Sequence, residues 1–288
     1  MKKVLIQLDT DQHPSPFDAI VAQDAGVDVL LSYAGVTPEA VRGLVQGAFF
    51  TRAPDDLSSM AVWVGGSDAA MGEEVLDEVQ GAFFGPFQLS VMLDSNGCNT
   101  TAATAIARIA KDRDLRGRRV VVVGVGPVGL RSATLLIGEG CDVLAVTIPA
   151  DVLGKDSYRR PRGLAVAERL GLNTLEPADR AEMEAALEGA NIVLASGPAG
   201  VQLLRHEVWS ASPTIELLVD YNAADPLGIE GSEAVDDLAE REGKLVLGAL
   251  AVGGPKMKTH KACVRQLFER NDLVLDADGV YAVARDIV

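Results

Sequence analysis

Three glycines, Gly124, Gly126 and Gly129, stand in the spacing Gly-x-Gly-x-x-Gly directly after the run Val120 to Val123. A turn of this kind lets the backbone approach a pyrophosphate closely and aims the positive end of the next helix at it. The context suits that chemistry. Four consecutive valines fit a strand buried on both faces at the centre of a parallel sheet. The apolar periodic segment Val128 to Ile137 reads as the following helix, and a second strand, Asp142 to Ile148, comes after Gly138 and Gly140. The stretch therefore reads as a dinucleotide site with Gly124, Gly126, Pro127, Val128 and Gly129 at the pyrophosphate. A tight strand-to-helix turn with no ligand is the alternative.

Which dinucleotide is expected depends on the end of that second strand. An NAD site places Asp or Glu there to accept from the ribose 2′-hydroxyl, whereas an NADP site gathers cations around the extra phosphate. Here the strand ends Val146-Thr147-Ile148-Pro149, with no carboxylate at the tip, and the loop beyond carries Lys155, Arg159, Arg160 and Arg162. Thr147 has a hydroxyl to donate to a phosphate oxygen, and the guanidinium groups of Arg159 and Arg160 match phosphate geometry. NADP is the expected cofactor, with NAD as the alternative through Asp151 at a ribose, and a solvated basic loop as the bland one.

The elements that must position this turn follow from the rest of the chain. At 288 residues there is room for two medium domains. Residues 1–98 alternate as strand and helix, with strands at Lys3 to Leu8, Val27 to Ser32, Met60 to Val64 and Phe87 to Leu93. Thr37 followed by Pro38 marks one helix start. Asp94 to Thr101 is dense in polar and turn-forming residues and reads as a linker, with a helix from Thr101 to Lys111. Beyond it, helices Leu164 to Leu170 and Arg180 to Leu187 alternate with strands Ile192 to Ala195, Ile215 to Asp220 and Lys244 to Leu247. The fold class is thus α/β in two domains: a small open α/β unit, 1–98 completed by 260–288, and a Rossmann-like doubly wound dinucleotide domain, 99–259. The terminal helices, His260 to Arg270 and Ala277 to Ile287, are expected to pack back on the first domain.

Composition excludes several functions. A net charge of −15 argues against general binding to nucleic acid or anionic membrane, since such a surface repels phosphate. No apolar run approaches the length of a membrane span, and the start turns acidic too soon for a secretory signal, so cytoplasm is expected. Cys98, Cys141 and Cys263 are odd in number and widely spaced, which suits packing rather than a disulfide framework or a zinc site, and no metal is expected. His13 and His206 read as surface residues.

Several long strings resemble the NAD(P)-dependent methylene-tetrahydromethanopterin dehydrogenases. They are Gln7 to Asp11 (QLDTD) with Phe17-Asp18, Phe83 to Phe87 (FFGPF), Met92 to Ala103 (MLDSNGCNTTAA), Gly124 to Ala133 (GVGPVGLRSA), Asp220 to Ile229 (DYNAADPLGI) and Gly248 to Cys263 (GALAVGGPKMKTHKAC). The resemblance covers nearly the whole chain. It implies reversible hydride transfer from the methylene bridge of the pterin carrier to NAD(P)+, a cleft between a pterin domain and a nucleotide domain, and a homo-oligomer, a trimer. Related chemistry on tetrahydrofolate and a non-catalytic NADP-binding regulator are the other two readings. Because two nitrogens flank the reacting carbon, no acid or base is required, and alignment of donor and acceptor carries the reaction.

On that resemblance the substrate residues are chosen by type. A pterin edge offers an amide N–H and an amino group to a carboxylate acceptor, and its flat ring wants an aromatic slot. Asp9, Asp11, Asp18 and Asp94 lie at or just beyond strand ends with Phe17 nearby, although capping and turn formation compete for two of the four. Asn96 and Asn99 sit where both ligands should meet, and are expected to position them together with Lys256. Lys256 and Lys258 would bind the anionic tail or steer the carbonyl, with solvated lysines as the alternative. Ser196, Gly197, Asp220 and Asn222 end later strands and would frame the nicotinamide.

Overall fold

The computed structural model describes residues 1–154 and 163–288. The chain opens with β1 (Val4–Asp9), α1 (Pro16–Asp24), β2 (Val29–Tyr33), α2 (Pro38–Phe49), β3 (Met60–Gly65), α3 (Ala69–Gly81) and β4 (Ser90–Leu93). It then enters α4 (Cys98–Ala110), β5 (Arg119–Val123), α5 (Pro127–Gly138), β6 (Asp142–Val146), α6 (Ala150–Leu153), α7 (Gly163–Arg169), β7 (Asn173–Leu175), α8 (Arg180–Ala185), β8 (Ile192–Ala195), α9 (His206–Ala211), β9 (Leu217–Asp220), β10 (Asp237–Arg241) and β11 (Lys244–Leu247). It closes with α10 (Ala249–Gln266), β12 (Val274–Leu275) and α11 (Ala277–Ile287). Two compact units result, one of 1–100 with 256–287 and one of 101–255 with the terminal Val288. The chain passes from the first to the second within α4 and returns within α10.

The first unit is built on a parallel sheet of order β12-β4-β3-β1-β2. Alternation along β3 sends Met60, Val62 and Val64 into a core with Val41, Val45 and Phe49 of α2 and Val75 and Val79 of α3. Trp63 points to the opposite face and is fully buried there. Each such large apolar side chain contributes about 1.5–3 kcal/mol on burial.

The second unit has the order β10-β11-β9-β8-β5-β6-β7, parallel except for β10 against β11. Val120 to Val123 are wholly enclosed, and β5 lies between β6 and β8. The direction of winding changes at β5, and the loop leaving its carboxyl end carries the glycine turn. The three cysteines are buried, and none forms a disulfide among the described residues.

Several elements differ from the sequence reading. Asp94 to Thr101 is an enclosed turn rather than a polar linker. The Asp94 carboxylate accepts from the Thr100 amide at 3.0 Å and the Thr100 hydroxyl at 2.6 Å, and Asn99 Nδ2 donates to the Leu93 carbonyl at 2.7 Å, so the polar groups satisfy one another. After a 3-10 turn at Ser95–Gly97 the helix begins at Cys98, three residues earlier than expected. The final helix pair also starts earlier, because α10 runs from Ala249 with Pro255 inside it. The strand expected from Phe87 starts at Ser90, since the Phe84 and Phe87 backbones bond each other in a tight turn.

Candidate functional site

In the first unit a cavity of about 340 Å³ opens at the carboxyl ends of β1, β3 and β4. Asp11 and Ser15 line it from the loop after β1, Phe17 and Asp18 from α1, and Gly66 and Ser67 from the loop after β3. Asp94, Asn96 and Gly97 enter after β4, and Lys256 reaches in from α10. Several separate strand ends thus converge on one concavity, where parallel sheets bind ligands.

The aspartates take different parts. Asp9 is fully buried and accepts from the amides of Asp11, at 2.9 Å, and Ser15, at 2.8 Å, which folds the loop that carries them. Asp11 accepts from the Ser67 hydroxyl at 2.7 Å and tethers the two loops. Asp18 stands in the first turn of α1, which Ser15 caps through the Asp18 amide. Burial, followed by the charges of Asp94 and Asp9, raises the Asp18 carboxyl to about 7, against the opposing pull of Lys256 and the Ser15 hydroxyl. At neutral pH this carboxyl is poised between its two charge states.

Two glycines make room for these groups. Gly97 has φ +60, and a Cβ on it would stand 2.6 Å from Lys256 Nζ, so the ammonium group occupies the space a side chain would fill. Gly66 has φ +105, and a Cβ there would fall 2.0 Å from Thr10 Oγ1. Asn96 adopts φ 54 and lines the cavity, whereas Asn99 is buried in its bond to Leu93. Lys258 is exposed and does not line the cavity.

The sequence reading missed His260 and Trp63. His260 lies one helical turn after Lys256 on α10 and is buried, its ring 4.7 Å from that of Trp63 and 6.0 Å from that of Phe17. Its Nε2 stands 3.5 Å from Asp94 Oδ2. Burial and Lys256 hold this imidazole below its ordinary pKa, while Asp94 acts the other way. The i, i+4 spacing from Lys256 was the available signal, but the Gly253-Gly254-Pro255 string hid the helix.

In the second unit the glycine turn is tightly determined. Gly124 has φ +111, and a Cβ there would sit 2.5 Å from the Ser196 carbonyl; one on Gly129 would sit 2.1 Å from the Gly124 carbonyl. Gly126 differs, for a Cβ on it meets nothing within 4 Å, and its peptide leads directly into Pro127 and Val128 at the start of α5. The turn thus leaves open backbone at Gly126, beside a 12-residue helix whose start has no side-chain cap. Those features fit a dinucleotide pyrophosphate, which the free amides and the helix dipole would hold.

The other positions expected at the dinucleotide are engaged within the chain. Ser196 Oγ donates to the Gly124 carbonyl at 2.8 Å and so clamps the turn. A Cβ on Gly197 would meet Ile148 and Leu203 at 2.9 Å. Asp220 accepts from the amides of Asn222 and Ile229, each at 2.9 Å, and burial raises its pKa. Asn222 Oδ1 accepts from the Ala224 amide at 2.8 Å, and its Nδ2 donates to the Pro226 carbonyl at 2.9 Å. Thr147 is buried at the end of β6, and the Asp151 carboxylate accepts from the Arg180 amide at 3.0 Å. Lys155, Arg159, Arg160 and Arg162 lie outside the described residues. Among the described residues no His, Cys, Asp and Glu cluster has the arrangement to hold a metal, and no helix is long and apolar enough to cross a membrane.

A doubly wound sheet with this glycine turn, joined to a second α/β unit, defines an NAD(P)-binding two-unit α/β protein. Residues 113–225 match the family model described as "Putative NAD(P)-binding", and residues 16–96 match "Methylene-tetrahydromethanopterin dehydrogenase, N-terminal". The chain is 42% identical over 291 residues to the bifunctional protein MdtA of Methylorubrum extorquens, covering 99% of each. It is 33% identical over 304 residues to the NAD(P)-dependent methylenetetrahydromethanopterin dehydrogenase of the same organism, again covering 99% of each. Among solved structures, shikimate 5-dehydrogenase from Listeria monocytogenes shares the fold, with TM-score 0.54 at 14% identity over 98% of this chain and 96% of that one. The chain belongs to the methylene-tetrahydromethanopterin dehydrogenase family.

Proposed function

We propose that the protein catalyses reversible hydride transfer from methylene-tetrahydromethanopterin to NADP+, with NAD+ as a second acceptor, giving the methenyl carrier in one-carbon (formaldehyde) metabolism. The carrying observation is the full-length relationship to a dehydrogenase named for that substrate. The first unit is assigned to the pterin and the second to the dinucleotide. We extend the reading to a cytoplasmic homo-oligomer, a trimer, whose mass by light scattering should be three times 30.3 kDa; a monomeric mass would refute it.

The hydride leaves a carbon flanked by two nitrogens, whose lone pairs convert it to an amidinium without any proton transfer. The bound nicotinamide supplies the acceptor carbon. What the protein contributes is position and charge. Ionised Asp18 accepts from the amide and amino donors of the pterin edge, and with Asp94 it surrounds the emerging cation with negative charge. Lys256, held in the space above Gly97, points its ammonium group at the carrier's carbonyl or anionic tail. Phe17, about half exposed at 48%, offers an aromatic wall to the ring. Backbone amides at Gly126 and the first turn of α5 would hold the pyrophosphate.

Purified protein mixed with NADP+ and each methylene-loaded carrier is expected to form reduced nicotinamide and methenyl product with tetrahydromethanopterin. Turnover with tetrahydrofolate alone would transfer the assignment to that carrier. Turnover with neither would reject an enzyme in favour of an NADP-binding regulator.

A further inference from the structure

His260 and Trp63 carry three of the five buried side-chain nitrogens that lack a hydrogen-bond partner among the described residues: Trp63 Nε1 and both ring nitrogens of His260. Their rings touch, and His260 also approaches Asp94 and Phe17, two residues that line the cavity. An enclosed imidazole without partners destabilises the fold, and an apolar side chain of similar volume would serve packing better. The residue type therefore calls for an explanation other than the core.

The surroundings supply one. Asp94 at the end of β4, Lys256 and Cys263 on α10, Phe17 and Asp18 on α1, and Trp63 on β3 surround the ring or share its charge environment. Asp94 and Lys256 each act electrostatically on both His260 and Asp18, so the ring belongs to the same charge cluster as the cavity. A neutral imidazole has one N–H and one lone pair. Nε2 faces a carboxylate oxygen at 3.5 Å, where a lone pair would be repelled and an N–H attracted, which selects the Nε2–H tautomer. The separation is slightly too long for a good hydrogen bond, as active-site contacts often are before the substrate arrives.

We propose that His260 is a positioning residue for the carrier: its Nε2–H anchors the Asp94 carboxylate and thereby sets the Asp18 and Lys256 groups that meet the pterin. This rests on the assignment of the cavity to the carrier. Gln at 260 returns a donor near the Nε2 position, Asn places it near Nδ1, and Leu removes it while keeping bulk. His260→Gln is expected to stay within about threefold of the unsubstituted protein in kcat/KM for the methylene carrier. His260→Asn and His260→Leu should lose about tenfold or more, as a rise in the carrier KM with the NADP+ KM unchanged. His260→Leu should melt at or above the unsubstituted protein, so activity and stability diverge. Equal activity of Gln and Leu, or activity that simply follows the melting temperature, would overturn the proposal.

A second measurement needs no substrate. Nitrogen-15 NMR of the imidazole in the full-length protein is expected to show Nε2 protonated at pH 7, and an Nδ1–H tautomer with a bare Nε2 would refute the Asp94 contact. Failure of the unsubstituted protein to oxidise any methylene carrier would instead strike the proposed function, leaving the tautomer to decide the His260 geometry.

Discussion

Asp18→Asn is expected to lower kcat/KM for the methylene carrier by roughly 10- to 100-fold and, at pH 8, to raise the melting temperature. The loss follows from hydrogen bonds to a charged acceptor, worth about 1.5–3 kcal/mol. The gain follows from the same burial that makes the carboxyl useful. Its pKa stands at about 7 in the folded chain, chiefly through burial and then through Asp94 and Asp9, against 3.8 for the free group. Between those values the folded state keeps a proton that the unfolded state has lost. The stabilisation from this proton is complete below the unfolded pKa, declines as pH rises and is gone above about 7. An amide carries no charge to bury, so above pH 7 the substitution relieves about 2–4 kcal/mol. Calorimetry across pH 5–8 should show the difference growing with pH. Oxidation by the unsubstituted protein should rise through pH 7 as Asp18 ionises and favours the cationic product, and the variant should lose that step. A variant that is active with an unchanged pH profile and melts no higher at pH 8 would remove Asp18 from the site.

The second large effect separates two glycines three residues apart. Gly126→Val is expected to weaken NADP+ binding by about 100-fold with little change in melting temperature. The backbone at Gly126 has φ −75 and ψ 177, which any residue adopts, and its Cβ would enter open space. Only the pyrophosphate's approach would be blocked, with the loss of charge-assisted bonds worth about 1.5–3 kcal/mol each. Gly129→Ala should behave in the opposite way. Its Cβ would lie 2.1 Å from the Gly124 carbonyl and 2.4 Å from Ser196 Oγ, so the turn must open and the protein should lose several degrees of stability. Calorimetric titration with NADP+ beside thermal melts tests both. Undiminished NADP+ affinity in Gly126→Val would place the dinucleotide elsewhere.

These two sites also mark what the sequence makes legible and what it does not. The glycine turn was legible because its determinants are local: the valines of β5, the three glycines and the apolar start of α5 are contiguous, and each points to the same geometry. Asp18, Asp94 and Lys256 were legible as residue types at strand ends or in an unusual string, but not as neighbours. Their meeting depends on α10 returning to the first unit, and that helix was disguised by two glycines and a proline that tertiary packing overrides. The enclosed turn at Asp94 has the composition of a solvated linker, whereas its side chains bond back to Thr100 and Leu93. Short edge strands such as β7 and β12 owe their existence to a neighbouring strand and carry little pattern of their own. Trp63 gave no signal beyond a buried aromatic in a strand.

The assignment of positional rather than acid–base catalysis is tested most directly with a carrier whose methylene bridge carries deuterium on both hydrogens. Incubated with NADP+ in ordinary water, the protein should deliver one deuterium to the C4 position of the reduced nicotinamide, on a single face and without dilution by solvent hydrogen. Wash-out of the label into water, or scrambling between the two faces, would contradict direct hydride transfer between aligned ligands.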